Sequence, residues 1–164
     1  MIVVDTSVWV SVFRRRTTRD AEAFGALLDT DDILLPAPVR TELLGGVRPV
    51  HRQALRRILT ALPVAYPSDE TWKQMDHWAI HGSERGQSFG VGDLLIAAMA
   101  QEAGALVWSL DTDFQRMAIC RSESPDGSDR GNPFSLANFI YTRYTPCVEA
   151  LGTRSAAPLC AAQP

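Results

Sequence analysis

The chain has 164 residues, 46% hydrophobic and 21% charged, enough apolar mass for one domain with a sizeable buried core and a composition that argues against disorder over most of its length. Its formal net charge of −3 excludes a uniformly basic polyanion binder, so any contact with nucleic acid falls to local patches such as Arg14, Arg15, Arg16 and Arg19, or Arg48, Arg52, Arg56 and Arg57. No apolar run approaches the ~20 residues that span a bilayer and no basic leader precedes the first apolar run. The three cysteines, Cys120, Cys147 and Cys160, fit no zinc spacing and close no disulfide framework, so a cytoplasmic, reducing location without membrane contact is expected.

Ile2 to Asp5 reads as a buried strand, and Thr6-Ser7 opens a strand-to-helix turn before Val8 to Phe13. Thr6 either caps that helix, the simpler reading, or orients a carboxylate. Asp20 to Leu28 has a helical rhythm through Ala21, Phe24, Leu27 and Leu28, and Asp31-Asp32 turns the chain into the strand Ile33 to Leu35. Val39 to Leu44 is a helix stopped by Gly45-Gly46, and His51 to Leu62 is another, with Arg52, Arg56 and Arg57 on one side as a solvated face or a substrate contact.

Ser68-Asp69-Glu70 caps a helix through Trp72, Met75, Trp78 and Ala79, on which His77 and His81 stand four apart without an evident third ligand. Gly82 to Gly92 is polar and glycine-rich and reads as a flexible loop into the helix Asp93 to Ala103, which Gly104 ends. The strand Leu106 to Leu110 then leads into Asp111-Thr112-Asp113-Phe114. Alternation of strands and helices predicts a parallel sheet, with Asp5 and Asp111 at the carboxyl ends of strands, where such sheets place their ligands.

Asp5, Glu42, Asp93 and Asp111 are each attached to a core-forming element, where an isolated charge is costly unless paired or bound to a metal. Two carboxylates about 4 Å apart repel by roughly 4 kcal/mol at an effective dielectric near 20. Four of them sharing a pocket call for a cation, and an all-oxygen set selects Mg²⁺ or Mn²⁺ over zinc. Taken singly, Asp93 is equally well explained as a charge favoured by a helix N-terminus.

Asp5-Thr6-Ser7 after a first strand, Val39-Arg40-Thr41-Glu42-Leu43 on a helix, Gly92-Asp93-Leu94-Leu95-Ile96-Ala97-Ala98, and Ser109-Leu110-Asp111-Thr112-Asp113-Phe114 resemble, in order and spacing over residues 1 to 118, the PIN-domain family and within it the VapC-type toxins. The resemblance implies a three-layer α/β/α fold around a mainly parallel sheet, Mg²⁺- or Mn²⁺-dependent cleavage of RNA, a homodimer, and a VapB-type antitoxin. By the same resemblance Asp5, Glu42, Asp93 and Asp111 are the catalytic quartet, with Asp5 and Asp93 as metal ligands and Ser7 and Ser109 as hydroxyls beside the pocket. Asp113 competes with Asp111 for the fourth place. Arg14, Arg15, Arg52 and Arg56 are the candidate RNA contacts, with Trp9 or Phe89 as stacking surfaces.

The family's domain ends in a short apolar strand, whereas here Ala118 is followed by a Ser-, Gly- and Pro-rich stretch to Pro133. Residues 119 to 164 are therefore expected to be an atypical tail, disordered or frame-shifted, with the last edge strand lost and the sheet weakened. Two rival functions remain: a phosphate-accepting receiver domain, disfavoured because the only lysine is Lys73 on a helix, and a catalytically silent module that binds RNA or antitoxin.

Overall fold

The computed structural model describes residues 1–14, 19–122 and 139–141. In chain order the elements are β1 (Ile2–Val4), α1 (Thr6–Arg14), α2 (Arg19–Asp29), β2 (Ile33–Pro36), α3 (Ala37–Gly46), α4 (Pro49–Ala61), β3 (Val64–Ala65), α5 (Asp69–Glu84), α6 (Val91–Glu102), β4 (Leu106–Ser109), α7 (Thr112–Ser122) and β5 (Phe139–Tyr141). The five strands form one sheet in the order β3-β2-β1-β4-β5, and every pairing is parallel. β1 is the middle strand, with Ile2 opposite Ile33 on one side and Leu106 on the other.

That order fixes the layers. From β1 the chain steps through β2 to β3 in one direction, then crosses back to β4 and β5 on the far side of β1. Right-handed crossovers put helices on opposite faces when the direction reverses, which gives the α/β/α arrangement and opens a crevice between the carboxyl ends of β1 and β4. Both faces of the inner strands are covered, which is why they read as unbroken apolar runs: β1 and β2 are buried at every residue.

Trp9, 0% exposed, anchors α1 by an edge-on contact with Phe24 at 4.6 Å and by an Nε1–H bond to the Val4 carbonyl at 3.2 Å. Its burial corrects the expectation that Trp9 offers a stacking surface to RNA. Ser68 caps α5 as expected, in a reciprocal box with Thr71, and Gly104 ends α6 with the positive φ of 60° that favours glycine. Among the described residues no helix is long and apolar enough to cross a membrane.

Several boundaries differ from the sequence reading. Gly45 and Gly46 lie inside α3 rather than stopping it, and α5 continues to Glu84, so the loop into α6 shrinks to residues 85–90. The larger difference is at the end of the domain. α7 runs through Ala118 to Ser122, and β5 lies parallel to β4 with Val107 opposite Phe139 and Ser109 opposite Tyr141. The last strand is therefore displaced along the sequence rather than lost, since three apolar residues suffice to pair with an edge once α7 has brought the chain back. The remainder of the expected tail, 123–138 and 142–164, falls outside the described residues.

Candidate active site

The crevice between β1 and β4 is built from the residues that follow each strand. Asp5 leaves β1 with its N–H bonded to the Trp108 carbonyl of β4 at 2.9 Å, so the two strand ends are tied together where the acid emerges. Asp5 is 6% exposed. Three donors meet on Oδ2: the Ser7 N–H at 3.2 Å, the Ser7 hydroxyl at 2.5 Å and the Ser109 hydroxyl at 2.8 Å. Among the described residues none reaches Oδ1, which leaves one oxygen of a nearly buried carboxylate available to a ligand.

The two hydroxyls are themselves fixed from the other strand end. Ser7 Oγ accepts from the Leu110 N–H at 3.0 Å, and Ser109 Oγ accepts from the Asp111 N–H at 2.9 Å. Each serine therefore accepts from the β4–α7 turn and donates to Asp5. Both hydroxyls expected beside the pocket are present there, and their role is to orient Asp5.

The other acids surround this one. The Asp93 carboxyl is pushed up from 3.8 to about 6, first by partial burial and then by the negative charges of Asp111, Asp5, Asp113 and Glu42, in that order. Asp93 thus feels the other three carboxylates of the quartet, and Asp113 as well. Glu42 is aimed by Thr6, whose hydroxyl donates to Oε2 at 2.5 Å. Between the two roles open to Thr6, the structure shows orientation of a carboxylate, with a partner 36 residues away.

Each acid also rests on a neighbour. Asp111 Oδ1 accepts the Asp113 N–H at 2.9 Å and so caps α7, while Asp113 Oδ1 accepts from Arg116 Nη1 at 2.8 Å. Asp93 Oδ2 lies 2.8 Å from where a Cβ on Gly90 would stand. Among the described residues no three carboxylate, imidazole or thiolate groups stand close enough to enclose an ion in these side-chain positions. The donor set fits a hard divalent cation in charge and in ligand type, which Asp5 Oδ1 is free to meet and which would relieve the negative charge felt by Asp93.

The expected arginines are not part of this cluster. Arg14 is exposed at the end of α1, Arg15 lies outside the described residues, and Arg52 and Arg56 line an exposed groove on α4 with Pro49, Gln53, Arg57, Thr60 and Ala61. His77 and His81 touch on α5 with ring centroids 4.3 Å apart and gather no third ligand among the described residues. Sequence reasoning missed Gly90 and Arg116. The three-residue spacing from Asp113 to Arg116 on α7 was a visible signal, because side chains three apart on a helix are neighbours, whereas Gly90, the N-cap of α6, carries none.

A parallel α/β sheet with acids gathered at its switch point defines the class, and the sequence match defines the family. The family model for the PIN domain matches residues 2–119, and the chain belongs to that family. Among solved structures, the fold is similar to a chain in VapBC2 from Rickettsia felis bound to a DNA fragment from their promoter, at 20% identity and a TM-score of 0.62 over 71% of this chain and 93% of that one. It is also similar to a chain of VapBC-1 from nontypeable Haemophilus influenzae, at 19% identity and a TM-score of 0.60 over 73% and 94%, and to one of FitAcB from Neisseria gonorrhoeae, at 23% and 0.55 over 68% and 88%. No curated protein matches the chain.

Proposed function

We propose that the chain is a Mg²⁺- or Mn²⁺-dependent endoribonuclease, the cytoplasmic toxin of a toxin–antitoxin pair, working as a homodimer and held inactive by a VapB-type antitoxin. The observation that carries the reading is the gathering of four carboxylates, Asp111, Asp5, Asp113 and Glu42, near enough to Asp93 to raise its pKa at the crevice between β1 and β4, in a PIN domain. The antitoxin part of the reading is supported by the neighbours, which are chains of VapBC assemblies.

Asp5 and Asp93, with Asp111, are the residues that would hold the cation. A bound divalent ion neutralises charge on the scissile phosphate and acidifies the attacking water. Asp5 presents Oδ1 because Ser7 and Ser109 occupy Oδ2. Glu42, kept in place by Thr6, orients the water and takes its proton as it attacks phosphorus opposite the leaving oxygen.

The test is cleavage of RNA by purified protein in Mg²⁺, in EDTA, and by Asp5→Asn. Cleavage in Mg²⁺ that is lost in both other arms is expected, and an Asp5→Asn protein that still cuts at the wild-type rate refutes the assignment. The resting separation of the acids favours a second reading, a silent module that binds RNA or antitoxin without cutting. RNA binding by wild-type protein that stays uncleaved in Mg²⁺ and Mn²⁺ selects it.

A further inference from the structure

A phosphodiester is an anion, and its way into this site passes a ring of carboxylates. A positive group at the rim is needed to receive it, and the arginines of α1 and α4 have no described contact with the cluster. Arg116 has one. Its guanidinium lies 2.8 Å from Asp113, one of the carboxylates that raise Asp93, and 5.3 Å over the ring of Phe89.

Two features hold it there. The Phe89 ring packs closely on Gly82, where a Cβ would meet Cε2 at 3.1 Å and Cδ2 at 3.3 Å. Asp113 in turn lies one turn ahead of Arg116 on α7, at the three-residue spacing that makes side chains neighbours. The guanidinium is thus placed from below by an aromatic face and from the side by a carboxylate, and its side chain is still 45% exposed. Of its five N–H donors, one is used among the described residues.

We propose that Arg116 is the phosphate-receiving residue of this site, binding a backbone phosphate of single-stranded RNA at the rim of the carboxylate crevice, with Phe89 and Asp113 as its positioning residues. The assignment rests on the ribonuclease reading above. The bond to Asp113 leaves spare N–H donors on Arg116. Here they stand exposed beside the acids that the substrate must pass, and a planar fork on an aromatic ring is the form in which arginine best receives a phosphate.

The test measures affinity for a short single-stranded RNA against salt concentration, in an Asp5→Asn background that binds without cutting, comparing Arg116 with Arg116→Gln and Arg116→Lys. Wild-type cleavage and thermal melting are recorded alongside. Loss of one phosphate contact makes the plot of log affinity against log salt shallower by about 0.7 for a single strand. Arg116→Gln is expected to show that change with an unaltered melting temperature, and Arg116→Lys to keep the slope while binding more weakly.

An unchanged slope in Arg116→Gln, with wild-type protein cleaving RNA, overturns the role of Arg116 and leaves the nuclease reading standing. An Arg116-dependent slope with no cleavage by wild type in Mg²⁺ or Mn²⁺ does the reverse. Absence of both RNA binding and cleavage overturns the two together. If Arg116→Gln lowers the melting temperature substantially, Phe89→Leu replaces it as the variant: it keeps the charge and hence the slope, and retention of full wild-type affinity there counts against the proposal.

Discussion

Asp93→Asn should stabilise the protein in the absence of divalent cations, and only above a definite pH. In the folded chain Asp93 keeps its proton up to about pH 6, whereas the unfolded chain releases it near 3.8. Between those values the folded state binds more protons, so this group's contribution to stability is present below pH 3.8 and is lost as pH rises through 6. A shift of that size is worth about 3 kcal/mol at full strength. Asp93 is only half-buried, and screening by water cuts this to about 1.5 kcal/mol.

The N-terminus of α6 favours the ionised form by about 0.5 kcal/mol, so roughly 1 kcal/mol of penalty remains. Asn cannot ionise and escapes it. The expected gain is about 3–5 °C in Tm at pH 7.5 in EDTA, falling to nothing near pH 3.8. Thermal melting of both proteins across that range, with and without Mg²⁺, is the assay, and Mg²⁺ should raise the wild-type Tm while leaving the variant almost unmoved. A lower Tm for Asp93→Asn at pH 7.5, or a gain that persists at pH 3.8, would refute the repulsion argument.

Asp111→Asn should lose far more cleavage than Asp113→Asn, with little change in Tm because Asn caps α7 about as well as Asp; the reverse order of residual activity hands the fourth position to Asp113. Gly90→Ala places a methyl 2.8 Å from Asp93 Oδ2, so the carboxylate must move. RNA cleavage should fall several-fold while Tm shifts by less than about 3 °C, and an unaffected rate would mean that the resting position of Asp93 is irrelevant. Truncation after Ser122 removes β5 and bares the edge of β4, so it should lower Tm and promote association seen by light scattering; a truncated chain as stable and monodisperse as the full one would show β5 to be dispensable.

The fold and three of the acids were legible because Asp5, Asp93 and Asp111 each follow an apolar strand or open a helix, whereas Glu42 lies inside α3 and was picked out by the motif around it. Asp5 and Asp111 follow β1 and β4, and the strand-helix alternation predicts a parallel sheet before any register is known. β3 escaped because two residues, Val64 and Ala65, carry no period. β5 escaped because Phe139 to Tyr141 pairs with β4 across a polar stretch, and its partner is set by the sheet rather than by its neighbours in sequence. Thr6 was misjudged for the same reason: locally it looks like a cap, and the acceptor that decides otherwise lies on α3. Arg57 and its neighbours drew attention as a basic run, whereas the single Arg116 is significant only through what surrounds it.

The serine that locks Asp5 from across the crevice stands 104 positions later in the chain. During synthesis β1 leaves the ribosome first and lies in the middle of a sheet whose other half does not yet exist. At ~5–20 residues per second, roughly 5–20 s pass before Ser109 can reach Asp5. A nascent chain therefore carries its first acid in an unassembled pocket until translation is well past β4, an interval in which a partner already in the cell can meet the chain before its chemistry is complete.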